Sequence, residues 1–328
     1  MNKGIFKRII QNFIRLVTLL VAVCVIAYFL IQISPIDPIQ AYVGAGVAVS
    51  PEQRENIENF WGGNGSPLKQ FLTWSRAVLQ GDFGVSLIYR RPVLDIIIEK
   101  FNHSILLMGL SWVLSGIIGY TLGLLMGINR GKPGERVMKT ICLSLSSTPT
   151  FWVGLILLLI FSIGLGWFPV GLSVPIGMLT KEITFFQRVY HALLPALALS
   201  FTSFSPVALH TRDKVFTAME SDYVLFARAR GEKSKEIIKN HVVHNTLIPA
   251  ITLQFASFSE LFGGSVLVEQ VFSYPGLGRA AVEAGLRSDV PLLLGVTLFS
   301  ALFVFLGNSI ANILYQWVDP KIGEMDYE

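Results

Sequence analysis

The residue with the most conspicuous chemistry is Glu260, a carboxylate in the apolar run SFSELFGGSVLVE. A charged side chain in such surroundings costs about 3 kcal/mol or more unless it faces water, a ligand or a partner charge. Gly263 and Gly264 follow it, and glycines permit a close helix approach or a kink. We therefore expect Glu260 either to line a polar path that receives a cation or an amine, or to reach water or a group on a neighbouring subunit.

Histidines and cysteines are the next candidates for chemistry, as metal ligands. His241 and His244 are three residues apart and could share a metal ion, but no carboxylate or thiol completes a ligand set in sequence. Cys24 and Cys142 lie in separate apolar runs, without partners at a useful spacing. The other histidines are near the ends of predicted apolar spans: His103, His191 and His210. We predict neither a metal site nor a disulfide.

Sequence patterns of nucleotide binding and hydrolysis are absent. GKPGER, from Gly131 to Arg136, contains a Gly-Lys pair but lacks the preceding glycine and the following Ser or Thr of a phosphate-binding loop. No H-E-x-x-H, G-x-S-x-G or Ser-His-Asp arrangement occurs either. We predict that the chain is not an enzyme and holds no cofactor, so that any dependence on ATP must come from a partner.

The elements that position these residues are predicted to be membrane-spanning helices. Of the 328 residues, 52% are hydrophobic and only 15% are charged, whereas soluble domains carry about 25% charged residues. A helix needs about 20 apolar residues to cross a bilayer. The sequence predicts an all-α membrane protein with six spans: Ile9–Ser34, Asn102–Ile128, Val137–Leu165, Val189–Thr211, Thr246–Val268 and Val290–Val318.

The distribution of basic residues predicts the orientation of the spans. With the N-terminus inside, sixteen of the 26 Lys and Arg residues fall on the inner side, as the positive-inside rule requires. Both termini are then cytoplasmic, and the net positive charge reflects orientation rather than nucleic-acid binding. The predicted segments are a first, uncleaved span (1–34), an outer segment (35–101), a five-helix core (102–318) with a cytoplasmic stretch at 213–245, and a tail (319–328).

The cytoplasmic stretch DYVLFARARGEKSKEIIKNHVVHN, residues 222–245, is unusually polar for a connection between two spans. Its first part favours a short helix that ends at Gly231, where a left-handed C′ residue is expected. Ser234 is a suitable N-cap for a second helix, whose apolar face includes Ile237 and Val242. On these grounds alone, the stretch is either an ordered docking element or a solvated loop.

This stretch resembles the cytoplasmic coupling segment of ABC-importer permeases, in the variant of the dipeptide, oligopeptide and nickel family. Ala227 and Gly231 match the second alanine and the glycine of its motif, and His241 and Asn245 match its tail. The general motif's glutamate falls on Leu225 here, and its terminal Leu-Pro on Val243 and His244; these departures argue against a sugar-type permease. Further similar segments occur in the family's order: GDFGVS (81–86), RRPV (90–93), STPTFWVGLILLLIFS (147–162), HALLPALAL (191–199), PGLGR (275–279) and LYQWVDPKI (314–322).

The resemblance implies the type I importer permease fold and a set of partners. These are a second, similar permease, two cytoplasmic ATPases that bind ATP and Mg, an external substrate-binding protein and membrane lipid, in the cell membrane of a prokaryote. It also implies roles for particular residues. The ATPase-coupling residues are Tyr223, Phe226, Ala227, Arg228, Ala229, Arg230, Gly231, His241 and Asn245; the translocation path includes Glu260, Gly263 and Gly264; the outer gate or binding-protein contact includes Pro275, Gly276, Gly278 and Arg279.

The substrate and the energy source leave alternatives open. Within the family, the cargo is a di- or oligopeptide, nickel or a metal chelate. Outside it, the chain could be a secondary transporter that uses an ion gradient, with Glu260 as coupling site, or a membrane scaffold or receptor without transport. Inverted repeats and paired broken helices would favour the secondary transporter, and the sequence has no such symmetry.

Overall fold

The computed structural model describes residues 3–33, 67–175, 183–287 and 289–318. In this part of the chain the regular structure is helical, apart from one isolated bridge between Val85 and Pro92. The helices are α1 (Lys3–Ile33), α2 (Pro67–Leu79), α3 (Val93–Ile128), α4 (Pro133–Ser146), α5 (Thr150–Leu157, continued by a π-helix over Leu158–Gly164), α6 (Phe185–Met219), α7 (Asp222–Ala229), α8 (Ser234–Ile237, continued by a π-turn over Ile238–Val242), α9 (Val243–Ala256), α10 (Phe258–Val271), α11 (Leu277–Leu286) and α12 (Val290–Val318).

The prediction of an all-α membrane protein is confirmed over these residues. Four helices are long and apolar enough to cross a membrane, and the number rises to six if each of two bent helix pairs forms one span. The outer segment predicted at 35–101 is described only from Pro67 onwards, and the tail predicted at 319–328 lies outside the described residues.

The third span, predicted as one helix from Val137 to Leu165, is instead two helices. α4 and α5 meet at an angle of 110° between Ser146 and Thr150. Pro149 causes the break, since proline lacks an N–H group and disfavours helical backbone at the residue before it. Its backbone is extended, with φ −60° and ψ 133°.

The fifth span, predicted as one helix from Thr246 to Val268, is also broken. The segments on either side of Ser257 differ in direction by 60°. In a continuous helix, the carbonyl of Gln254 would accept from the N–H group of residue 258. Here it accepts from the Ser257 hydroxyl at 3.0 Å and from the Trp112 indole at 2.9 Å. These competing donors account for the bend, and Glu260 lies in the first turn after it.

Helix α6 is longer at both ends than the predicted span Val189–Thr211. Its N-terminus has a capping box, in which the Gln187 N–H donates to the Thr184 hydroxyl and the Thr184 N–H donates to the Gln187 side chain. Its C-terminus extends to Met219, two residues before the N-cap of α7. The stretch 222–245 is therefore attached to a long helix rather than to a flexible loop.

The described residues form two compact units. The first comprises 1–104 and 275–306, and the second comprises 105–274 and 307–328. Trp74 is 1% exposed in the first unit and packs with Val290, Leu294 and Leu298. Two clusters centred on α6 form the core of the second unit: one includes Phe204 and Ala208, and the other includes Val215.

A line of glycines brings α3 close to α6 in the second unit. A Cβ atom at Gly119, Gly123 or Gly127 would lie 2.9, 2.5 or 2.5 Å from atoms of α6. Small residues at a spacing of four are a common device for close helix packing in membranes. This contact fixes α6, to which the stretch 222–245 is attached.

Candidate coupling site

Helix α7 is amphipathic, and its buried face is fixed to the rest of the second unit. Val224 and Ala227 are 0% and 2% exposed, and they pack with Val215, Ile237 and Val242. This cluster joins α7 to α6 before it and to α8 after it. Apolar contacts with the helix before it and the helix after it therefore hold α7 in place.

The opposite face of α7 exposes large apolar side chains to solvent. Tyr223, Leu225 and Phe226 are 41%, 53% and 66% exposed. Arg230 lies beside this face, with its guanidinium 5.9 Å from the centroid of the Phe226 ring. An apolar patch with a polar rim on an ordered element is typical of a protein-binding surface. We call Tyr223, Leu225 and Phe226 the coupling face.

The turn after α7 has the geometry predicted for Gly231. Its φ is 85°, in the left-handed region that favours glycine. The N–H of Glu232 donates to the Ala227 carbonyl at 3.1 Å, and the N–H of Gly231 donates to the Arg228 carbonyl at 3.0 Å. This pair of bonds is a Schellman motif, which satisfies the carbonyls at the end of α7 and fixes the direction of the chain.

The second helix of the stretch begins one residue earlier than predicted. Its N-cap is Lys233 rather than Ser234, because the Glu236 carboxylate accepts from the Lys233 N–H at 2.9 Å. From Ser234, the chain is helical without interruption to Ala256. The stretch is thus continuous with the first half of the broken fifth span.

His241 closes the turn onto this second helix. Its Nε2 atom lies 3.0 Å from Oε2 of Glu232, and its ring centroid is 6.3 Å from that of Tyr223. The Asn245 amide donates to the His241 carbonyl within the same helix. His241 therefore stabilises the turn, and the described residues hold no group of three potential metal ligands.

The residues predicted for a translocation path follow the bend at Ser257. Glu260 lies on the surface of this single chain. Gly264 approaches α6 closely, since a Cβ there would lie 2.9 Å from Leu199, whereas a Cβ at Gly263 would meet nothing within 4 Å. The expectation of a close helix approach therefore holds at Gly264 and not at Gly263.

The predicted outer residues lie in the first unit, at the start of α11. Gly276 is the N-cap of this helix, and the N–H of Leu277 donates to the Ser104 hydroxyl at 2.7 Å. Gly278 is buried and Arg279 is partly exposed. The hydrogen bond from Leu277 to Ser104 fixes the start of α11. Arg279, two residues further along this helix, is therefore held at the surface of the unit.

An ion pair that sequence reasoning missed fastens α6 to the first turn of α4. The Arg212 Nε donates to Oε1 of Glu135 at 2.7 Å, and the two side chains are 11% and 4% exposed. Nearby, the Arg130 guanidinium lies 3.1 Å from the Phe216 ring centroid. Glu135 and Arg212 are 77 residues apart, so their pairing has no local signal in the sequence.

Loss of one partner of this pair is expected to destabilise the protein. Glu135→Gln removes the buried counterion of Arg212 and leaves it only the exposed Asp213, which costs about 3 kcal/mol. Thermal unfolding of the purified chain in detergent measures this loss. The control is Asp213→Asn: Asp213 is 70% exposed, so its pairing with Arg212 contributes little. Equal stability of the two variants would contradict the prediction.

Comparisons with known proteins agree with this architecture. Residues 119–324 match the family described as binding-protein-dependent transport system inner membrane component. The oligopeptide transport system permease protein AppB of Bacillus subtilis (strain 168) is 32% identical over 318 residues, covering 96% of this chain and 98% of that protein. The glutathione transport system permease protein GsiC of Escherichia coli (strain K12) is 31% identical over 314 residues, covering 96% and 98%.

A solved structure supports the fold. The MetNI methionine ABC transporter in an inward facing conformation matches with a TM-score of 0.54 and 14% identity, over 69% of this chain and 97% of that chain. At this identity the likeness concerns the fold alone. Because the family match covers more than half of the sequence and AppB aligns over almost its whole length, the chain belongs to the multi-pass inner membrane components of binding-protein-dependent transport systems.

Proposed function

We propose that the chain is a permease subunit of an ATP-driven, binding-protein-dependent importer of peptides, and that it forms half of the translocation pore. The observation that carries the proposal is the coupling face on α7. Tyr223, Leu225 and Phe226 are exposed on a helix whose other face is locked to α6 and α8. A rigid helix with an exposed apolar face can receive a force from a partner and pass it to the spans on either side.

The partners and the topology follow from the same proposal. Two cytoplasmic ATPases, carrying ATP and Mg, bind the coupling segments of this chain and of a second, similar permease, and an external binding protein delivers the substrate. Six spans with both termini in the cytoplasm fit the four long helices and two bent pairs, and they fit the excess of Lys and Arg in the segments assigned to the inner side. The complex lies in the cell membrane of a prokaryote.

Peptides are favoured over nickel or metal chelates as the cargo. AppB and GsiC are named for oligopeptide and glutathione transport, and both align over almost the whole chain. In addition, the described residues contain no group of three potential metal ligands. We therefore place a short peptide or a peptide-like amine in the path next to Glu260.

A secondary transporter is the competing proposal, and the two bent spans are the feature that bears on it. Broken helices occur in such carriers, where they form the ion site. Here the bend at Ser257 is explained by hydrogen bonds to Gln254, and the bend at Pro149 by the proline itself. Membership of a binding-protein-dependent family further disfavours transport by the chain alone.

Co-purification tests the proposed function. Full-length chain with an affinity tag is expressed together with the other subunits of its transporter, and recovery of the ATPases is compared between wild type and a variant that lacks 223–230. Wild type retains the ATPases and the variant loses them, while both retain the second permease. Recovery of the ATPases with the deletion variant would contradict the proposal.

Replacement of the carboxylate in the path is expected to impair transport selectively. In Glu260→Gln, the amide cannot balance a positive charge, so uptake of a peptide with a free amino terminus should fall by about tenfold. The measurement is uptake of radiolabelled peptide, with an amino-acetylated peptide as the comparison. Asp213→Asn, a change of the same kind at a 70% exposed residue of α6, is the control. Unchanged uptake of every peptide would remove Glu260 from the path.

A further inference from the structure

The second unit contains an apolar cavity that the proposed function leaves unexplained. Its volume is about 370 Å³, within the range of about 300–1,000 Å³ that is typical of small-ligand sites. Helices α3, α6 and α9 line it, mostly with aliphatic and aromatic side chains that include Val113, Ile117, Val207, Leu247 and Ile251. All of these except Val207 are exposed, so the cavity opens to the surface of the chain. Any group that enters it must be largely apolar.

Two hydrogen-bonded ties between α3 and α9 hold the cavity open. At one end, the Trp112 indole donates to the Gln254 carbonyl at 2.9 Å, and the Gln254 amide nitrogen donates to the Trp112 carbonyl at 2.7 Å. At the other end, the Tyr120 hydroxyl lies 3.1 Å from the Thr246 hydroxyl and 3.3 Å from the Val243 carbonyl. The ties are eight residues apart on each helix, or about 12 Å.

Small residues midway between the ties leave the space free. Gly116 on α3 and Ala250 on α9 both line the cavity, each of them four residues from either tie. Small residues usually let membrane helices approach closely, whereas the long side chains of these ties leave room between α3 and α9. A Cβ at Gly116 would lie 3.4 Å from the Gln254 side chain. A larger side chain at Gly116 would therefore occupy the space next to Gln254.

A buried acceptor in this cavity lacks a donor. Gln254 is 5% exposed, and its Oε1 atom makes no hydrogen bond with the described residues. The Trp112 carbonyl can only accept, so it requires the amide nitrogen of Gln254 and leaves Oε1 as the free atom. The other polar side chains of the lining are engaged, Trp112 and Tyr120 in the ties and Thr121 with the Ile117 carbonyl. Because an unpaired buried acceptor is unfavourable, a ligand that brings a donor gains affinity here.

The acceptor and the apolar lining together favour an extended peptide as the occupant. A lipid tail is apolar but carries no donor. Water would find a single polar partner, whereas a buried water makes about three hydrogen bonds. A transmembrane helix uses its backbone N–H groups internally. An extended peptide, in contrast, presents a free backbone N–H beside each side chain, which matches one acceptor in an apolar cavity.

We propose that this cavity is a subsite for one apolar residue of the transported peptide. The side chain of that residue fills the space beside Gly116, and its backbone N–H donates to Oε1 of Gln254. The inference rests on the proposed function and narrows its substrate class. Glu260, the expected partner of the peptide amine, follows Gln254 by six residues, or at most about 9 Å along the helix axes. An extended peptide covers this distance with two or three residues, so the apolar residue is the second or the third.

Filling the cavity tests the side-chain part of the proposal. The complete transporter is reconstituted in proteoliposomes loaded with ATP, and the binding protein outside is saturated with each peptide so that its own affinities do not affect the result. Two series of tripeptides carry alanine or leucine, one series at the second position and one at the third. Gly116→Leu is expected to reduce uptake of the leucine peptide by about tenfold relative to the alanine peptide in one series.

The matched control is Gly109→Leu, at an exposed position two turns earlier on α3. A Cβ at Gly109 would meet nothing within 4 Å, so this variant should keep the wild-type ratio of leucine to alanine peptide. An equal loss of uptake for all peptides in Gly116→Leu, or a ratio unchanged from that of wild type, would overturn the proposal.

Replacement of one peptide amide by an ester tests the hydrogen bond without altering the protein. The ester lacks the N–H of the residue in the cavity, so the wild-type transporter should take it up about tenfold more slowly than the parent peptide. In Gln254→Leu the acceptor is gone, and the ratio of the two uptake rates should approach one. This variant also loses the donation to Trp112, so the ratio and not the absolute rate is compared. Wild-type discrimination by Gln254→Leu would contradict the proposal.

Two other outcomes would assign the cavity to a different occupant and overturn the proposal. If Gly116→Leu loses the second permease on purification and Gly109→Leu does not, a helix of that subunit occupies the cavity. If Gly116→Leu loses a co-purified lipid and keeps the wild-type peptide ratios, a lipid chain occupies it.

The same uptake measurements separate this inference from the proposed function. A wild-type transporter without ATP-dependent uptake of any peptide would refute the function itself. A wild-type transporter that takes up peptides with ATP, and whose peptide ratios are shared by Gly116→Leu, would refute the subsite alone.

Discussion

Phe226→Asp is expected to abolish ATP-driven uptake while capture of substrate by the binding protein remains intact. Phe226 is the most exposed member of the coupling face, at 66%, and its ring contributes nothing to the buried cluster beneath α7. A buried carboxylate in its place would cost the interface with an ATPase roughly 2 kcal/mol or more, or about 30-fold in affinity. The measurements are ATPase retention on purification and peptide uptake into right-side-out vesicles loaded with ATP.

Two control variants test whether the effect of Phe226→Asp is specific to the loss of an apolar side chain on the coupling face. Phe226→Leu keeps an apolar side chain on the coupling face and should retain most of the uptake. Phe186→Asp makes the same change at a more exposed phenylalanine, 81% exposed, at the other end of α6, and it should leave ATPase retention unchanged. Wild-type ATPase retention by Phe226→Asp would show that the coupling face does not contact the ATPase.

Gly231→Pro is expected to eliminate uptake as completely as a deletion of 223–230. Proline fixes φ near −65°, whereas Gly231 has φ 85°, and proline also lacks the N–H that donates to Arg228. The Schellman motif cannot form, so α7 loses its fixed direction relative to α8. The ATPase would then move α7 without moving the spans, and ATP hydrolysis should continue without transport or the ATPase should dissociate.

Substitutions of increasing tolerance at Gly231 test whether its left-handed backbone conformation is the reason for the loss of uptake. A Cβ at Gly231 would meet nothing within 4 Å, so Gly231→Ala carries only the backbone cost of about 1–2 kcal/mol. Gly231→Asn should be milder, because asparagine tolerates the left-handed region. The control is Gly81→Ala, with φ 84° and equally empty surroundings in the first unit, which should leave ATPase retention unchanged. Equal uptake by Gly231→Pro and Gly231→Asn would contradict this explanation.

Local features of the coupling site were predictable from the sequence because they depend on neighbours in the chain. Gly231 follows a short amphipathic segment, and a glycine in the left-handed conformation is a common C′ residue at the end of such a helix. The boundaries of α12 were predicted for a similar reason, since Val290–Val318 is an uncharged run. The N-cap at Lys233 was missed, because the acceptor is the side chain of Glu236 rather than of the cap residue.

The bends and the buried charges depend on distant contacts and were predictable only in part. Thr148-Pro149 does signal a helix break, so the first bend was within reach of the sequence. The second bend needs the Trp112 indole at the Gln254 carbonyl, a contact across 142 residues. Likewise, Asp289 is held by Ser86 across 203 residues. Pairings of this kind depend on the fold and leave no periodic pattern in the sequence from which they could be predicted.

The central claim is that this chain has no energy source of its own and that force enters through the coupling face. The most direct measurement is peptide uptake into sealed proteoliposomes that contain either the complete transporter or this chain alone. We predict that the complete transporter takes up peptide only with ATP on the side of the coupling segment, and that the chain alone shows none with ATP or with an ion gradient. Gradient-driven uptake by the chain alone, at the rate of the complete transporter, would contradict the account.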